Sequence, residues 1–132
     1  MPDPDEATHP SRTAVITRLV EEVLIGGDLE VLDQLYIPAM APAARRWIAP
    51  FRASFPDARM QIVQLVSEGD TVVAWFRCSG THLGDWRGHA ATGRRFEKID
   101  EVYFFTFRDG LIAKAWGLEG SLERFHQLGL RP

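Results

Sequence analysis

Apolar residues along this chain follow two periods, one after the other. From Ser11 to Gly26, the residues Ile16, Leu19, Val20, Val23 and Leu24 recur at the spacing of a single helix face, and Gly26-Gly27 supplies the stop. Asp28 is placed to cap a short second helix that turns Leu29, Leu32 and Leu35 inward and ends at Pro38. Pro42 fits the first turn of a third helix running to about Phe55. Its apolar face is Trp47, Ile48 and Phe51, and Pro50 inside it removes a backbone bond and is expected to bend it.

Beyond Ala58 the period becomes two. Ala58 to Glu68 and Thr71 to His82 flank the turn signal Gly69-Asp70. Arg94 to Phe107 and Leu111 to Leu118 flank Asp109-Gly110, the strongest short hairpin signal in the chain. A glycine-containing loop, Leu83 to Gly93, joins the two hairpins, and Ser121 to Leu128 reads as a last helix with Leu122, Phe125 and Leu128 inward. Thr71 to Cys78 is apolar on both faces, so it needs two covers: a core on one side, and another layer or subunit on the other, where Trp75 and Arg77 would lie. Helices first and antiparallel hairpins after them predict an α+β fold, a cone-shaped curved sheet wrapped by the N-terminal helices and a short C-terminal one.

Length and charge narrow the possibilities. At 132 residues the chain is expected to form one domain over residues 11–132, preceded by an acidic, Pro-rich and disordered tail at 1–10. A net charge of -3 with scattered Lys and Arg gives no footprint for nucleic acid. No apolar run reaches membrane-spanning length, and the N-terminus has neither the basic nor the apolar region of a signal peptide. Cys78 is alone, which fits a reducing, cytoplasmic setting. The four His and Cys78 show no zinc spacing, and no glycine-rich phosphate loop is present, so neither metal nor cofactor is expected.

The candidate chemistry lies between Phe96 and Gly129. Period-two alternation puts Glu101, Tyr103, Phe105 and Phe107 on one strand face. A carboxylate and a phenol in an apolar wall point to a small-molecule pocket with acid/base capability. The competing structural readings are a rim Glu101 paired with Arg95 and a core Tyr103 tied to a backbone carbonyl. His82 and His89 flank the glycine-containing loop and could titrate near neutrality or simply brace that loop. Trp47, Phe51, Phe76, Trp86, Phe105 and Trp116 are candidates for lining the pocket, with Trp86 as a lid. Asp100, on the opposite strand face, is expected to pair with Lys98 or Arg94, and Glu119 to serve the dipole of the last helix.

Short segments in order along the second half resemble one family. They are Ala53-Ser-Phe-Pro-Asp57, Glu68-Gly-Asp70, Ser79-Gly-Thr-His82, Gly84-Asp-Trp86, Gly88-His89, Thr92-Gly-Arg94, Glu101-Val-Tyr-Phe-Phe105, Arg108-Asp-Gly110, Ala115-Trp-Gly117 and Gln127-Leu-Gly129. The set resembles the SnoaL-like polyketide cyclases, or ester cyclases, of the nuclear transport factor 2-like superfamily. The resemblance implies a helix-covered cone of sheet with a ligand pocket, and ring closure by an intramolecular aldol step without metal or cofactor. It places a pocket His at His89 and puts Tyr103 where the cyclases carry an acid/base Asp. Gly120 stands where near relatives often carry Asp, and Tyr36 to Pro42 is too short for the extra strand that usually completes the pocket wall.

The expectation is therefore a cofactor-independent acid/base enzyme acting on a hydrophobic, oxygenated small molecule, with Glu101 or His89 as base and Tyr103 as donor. The alternative is a non-catalytic binding protein of the same fold. A homodimer is expected, with no membrane or nucleic-acid partner.

Overall fold

The structure, a computed structural model, describes residues 11–132. The expectation of a disordered tail at 1–10 falls outside them. Helix α1 (Arg12–Arg18) starts where Ser11 Oγ accepts from Ala14 N–H at 3.1 Å, and it continues as a π-helical segment, Leu19–Ile25. Five-residue steps bring Leu19 and Leu24 onto neighbouring positions, and both line the interior cavity described below. Asp28 caps a 3₁₀ turn (Leu29–Val31) that leads into α2 (Leu32–Leu35). Helix α3 (Ala41–Ser54) has Pro42 in its first turn and Pro50 inside it.

Four antiparallel strands follow in the order of the sequence: β1 (Arg59–Glu68), β2 (Thr71–Thr81), β3 (Arg95–Arg108) and β4 (Leu111–Glu119). A last helix, α4 (Ser121–Gln127), closes the chain. The sheet is curved and does not close, as the α+β reading expects. Its concave side buries Ala74, Phe76 and Cys78 of β2 and Ile99, Tyr103, Phe105 and Phe107 of β3 against Ile16, Leu19, Val20, Val23, Leu32, Leu35 and Ile48 from the helices.

Two irregularities aim the site. Between Cys78 and Gly80 the β2–β3 register shifts, and Lys98 takes a left-handed conformation with φ of 54°. This bulge resets the alternation, so Phe96 and Ile99, three apart, both point inward, and Glu101 and Tyr103 follow on the inner face. The second lies beyond α2. Tyr36 is extended and forms a one-residue parallel bridge to Ile112 of β4, with Ile37 N–H donating to Ile112 O at 3.0 Å. That bridge is what the short Tyr36 to Pro42 segment offers in place of a further strand.

Three expected faces differ. Leu122 is 60% exposed, because α4 turns Arg124, Phe125 and Leu128 inward instead. Trp47 is half exposed, at the margin of the α3 face. The outer face of the sheet leaves Phe104, Trp116 and Leu118 in solvent, with Trp116 packed edge-on against Phe104 at 5.4 Å.

Candidate functional site

Three elements bring four polar side chains together under the helices. Glu101 and Tyr103 lie two apart on β3, Glu119 ends β4 directly across from Glu101, and Arg124 comes from α4. Arg124 Nη2 donates to Glu101 Oε2 at 2.5 Å and Nη1 to Glu119 Oε2 at 3.1 Å, and both Arg124 and Glu101 are buried. The guanidinium lies 4.7 Å from the Phe96 ring centre, a favourable place for a desolvated cation.

The Tyr103 hydroxyl stands 2.8 Å from Glu101 Oε1 and 2.7 Å from Glu119 Oε1. A phenol has one proton to donate. The phenol can donate fully to one carboxyl at a time, and a proton on the other carboxyl would complete the second contact. Burial pushes the Glu101 carboxyl up from the ordinary glutamate value; the Arg124 charge opposes this, and the Glu119 charge adds to the rise. Burial likewise raises Tyr103, with the Glu101 and Glu119 charges adding to it, so Tyr103 is a neutral donor and not a phenolate. Burial also works against the charge on Arg124, but Glu101, Cys78 and Glu119 outweigh it and keep the guanidinium ionised.

The cluster faces a cavity of about 270 Å³. Tyr103, Glu101 and Phe105 of β3 and Phe76 of β2 form its sheet wall; Trp47, Ile48, Pro50 and Phe51 of α3 form its roof. Leu19, Leu24 and Tyr36 close one side, and Asp85, Trp86 and Arg87 of the loop close another. A more open groove along β4, lined by Ala115, Trp116, Gly117 and Leu118, shares Trp47, Arg87, Tyr103 and Glu119 with it.

The structure sorts the sequence candidates. Glu101, Tyr103, Trp47, Phe51, Phe76, Trp86 and Phe105 line the cavity together. Trp86 is not an exposed lid: it is buried between Phe55 and Phe125, 4.7 Å from the latter's ring centre. Trp116 lines the outer groove, not the cavity. His82 is fully buried; its Nδ1 accepts from Thr92 N–H at 3.2 Å, and its Nε2 has no hydrogen-bond partner among the described residues. His89 packs against Phe125 at 5.8 Å and bridges Trp86 within the loop. Neither imidazole is among the residues that line the cavity. Glu101 pairs with Arg124, while Arg95 pairs with Asp57 and Glu97. Asp100 takes Trp75 Nε1 and Arg77 instead of Lys98 or Arg94. Glu119, expected at a helix dipole, belongs to the buried cluster. Arg124 and Tyr36 were not singled out by sequence reasoning. A signal for Arg124 existed: it sits four residues before the inward Leu128, on the helix face that meets an inward carboxylate.

Among the described residues, no three His, Cys, Asp or Glu side chains gather as a metal-holding group, and no helix is long and apolar enough to cross a membrane. The family model of the SnoaL-like polyketide cyclases matches residues 14–128. The chain belongs to this family. Among solved structures it is similar to IdmH, a candidate polyketide cyclase from Streptomyces antibioticus, at 25% identity and a TM-score of 0.78, over 91% of this chain and 99% of IdmH. It is similar to TsrD from Streptomyces laurentii at 26% identity and a TM-score of 0.78, over 99% and 100% of the two chains. A candidate SnoaL-like polyketide cyclase from Jannaschia sp. CCS1 shares the fold with a TM-score of 0.86 at 20% identity, over 100% and 99% of the two chains. A comparison with curated proteins gives no match. Within the family frame, the position expected to carry an acid/base Asp holds Tyr103, and the neighbouring strand supplies a carboxylate, Glu119, to that phenol.

Proposed function

We propose that this family member is a cofactor-independent acid/base enzyme that closes or isomerises a ring on a small, mostly apolar ketone. The observation that carries this reading is the Tyr103 phenol placed between two carboxyl oxygens at the wall of a cavity lined mainly by apolar side chains. In an aldol closure the Glu119 carboxylate takes a proton from the carbon beside a carbonyl. The resulting enolate carbon bonds to a second carbonyl carbon, whose π electrons move to oxygen. Tyr103 gives that oxygen its proton and is refilled from the Glu101 carboxyl. The cycle leaves Glu119 protonated and Glu101 ionised, and passage of the proton back through Tyr103 restores the start. No atom is gained or lost.

Exchange of solvent deuterium into the carbon beside the carbonyl of α-tetralone, followed by NMR, tests proton abstraction without the natural substrate. Wild-type protein is expected to speed exchange, and Tyr103→Phe and Glu119→Gln to lose about a hundredfold. The contacts that Glu101, Glu119, Tyr103 and Arg124 make to one another favour a second reading, a binding protein in which the cluster is structural. Bound tetralone with no exchange above the solvent rate decides for it.

A second copy of the chain is proposed to cover the outer sheet face, where Phe104, Trp116 and Leu118 form a contiguous apolar surface with Val73 and Trp75. Sedimentation showing a monomer at high micromolar concentration rules this out.

A further inference from the structure

Tyr36 is the one buried phenol of the cavity that the acid/base cluster does not use. Its position is fixed from both sides. Tyr36 N–H donates to Leu32 O at 3.0 Å as the last bond of α2, and Ile37 N–H then donates to Ile112 O. Pro38 two residues on keeps the chain extended. The backbone thus hangs on β4 while the side chain turns under the helices, where Tyr36 is 3% exposed beside Leu19, Leu24 and Phe105. Tyr103 is held by two carboxyls, but the Tyr36 hydroxyl makes no hydrogen bond among the described residues. Unlike His82 Nε2, the hydroxyl is not sealed off from solvent, and Tyr36 is one of the residues that line the cavity. Burial pushes the phenol up, leaving it neutral and able to donate.

We propose that Tyr36 is a second polar anchor, which donates a hydrogen bond to an oxygen at the far end of the bound molecule. The ligand class follows from the two poles and the volume. It is a compact, roughly two-ring molecule with an apolar middle, one oxygen function at the Glu101–Tyr103–Glu119 end and a carbonyl or hydroxyl at the other. A cavity of about 270 Å³ lies at the lower edge of small-molecule sites, which excludes larger fused systems from lying wholly inside. This inference rests on the reading of the cavity as a ligand site, and not on the proton chemistry assigned to it.

The test is binding, read by quenching of tryptophan fluorescence, with three probes: naphthalene, β-naphthol, and the naphthalenediol whose hydroxyls lie at opposite ends of the rings. Wild-type protein is expected to bind the diol roughly five-fold more tightly than β-naphthol. In Tyr36→Phe that preference is expected to vanish while naphthalene affinity stays unchanged. A preference that survives in Tyr36→Phe, no preference in wild type, or no binding of any probe overturns the proposal. Thermal unfolding gives an independent reading. Removing a hydroxyl that has no partner among the described residues is expected to leave Tm unchanged or raise it, and a fall of several degrees would show a structural partner and overturn the assignment. Loss of deuterium exchange on tetralone with the diol preference intact would sink the acid/base reading alone.

Discussion

Gly117 lies directly across the sheet from Tyr103, and the Tyr103 ring occupies the space a side chain there would need. A Cβ on Gly117 would stand 2.2 Å from Tyr103 Cδ1 and 2.5 Å from Cε1. The bare backbone of β4 therefore lets the phenol lean over it, with Trp47 packed edge-on at 5.4 Å, until its hydroxyl reaches both Glu101 and Glu119.

Gly117→Ala is expected to displace the Tyr103 ring and break its double contact. Deuterium exchange on tetralone should fall roughly ten- to hundredfold, because a shift near 1 Å at a reacting group is enough for that loss. Unchanged exchange in a folded Gly117→Ala protein would show that the placement of the phenol does not matter.

Arg124→Met removes the cation that, among the described residues, pairs with both the buried Glu101 and the part-buried Glu119. A loss of about 3–5 kcal/mol of stability is expected, since the cost of an unpaired buried charge exceeds that of losing the pair itself. Converting both Glu101 and Glu119 to Gln in the same protein should recover much of it. Urea unfolding of the single and triple variants measures both, and a triple variant no more stable than Arg124→Met would contradict the coupling.

Stability should fall as pH rises from about 4.5, the ordinary glutamate value, toward neutrality. Burial raises Glu101 in the folded protein, so the folded state holds that proton more tightly than the unfolded chain does. Its contribution is complete below the ordinary value and is lost as pH climbs through the raised one. Asp57 acts the other way: Thr81 and Arg95 outweigh its burial and hold it below 3.8, so its contribution is lost only in stronger acid. The two windows do not overlap. Urea midpoints measured across this range should show the decline in wild type and its absence in Glu101→Gln.

Much of this was legible along the chain. The α1 stripe and the Asp109-Gly110 turn follow from local spacing alone, and alternation from Glu101 to Phe107 named the inner face of β3 correctly. The missed parts share one physical cause, contact between residues distant in sequence. Glu119 reads locally as a residue at a helix start, and only the β3–β4 register sets it across from Glu101. Arg124 reads as one charge on a short surface helix, and only docking under Phe96 and Glu101 buries it. Tyr36 lies in a stretch that reads as too short for a wall, yet a single bridge to Ile112 suffices to hang one ring there. His82 and His89 attracted notice because imidazoles titrate near neutrality, a property of the residue that says nothing about where the loop folds it.

The one-residue bridge between Tyr36 and Ile112 has an effect beyond anchoring a ring. Past that point the free margin of β4 carries no neighbouring strand among the described residues, and the groove beside it shares Trp47, Arg87, Tyr103 and Glu119 with the cavity. The cavity volume limits only what is enclosed, whereas the groove beside it is more open. On the proposed reading, a substituent on the compact ligand that reached past Tyr103 and Glu119 would lie along the flank of the protein.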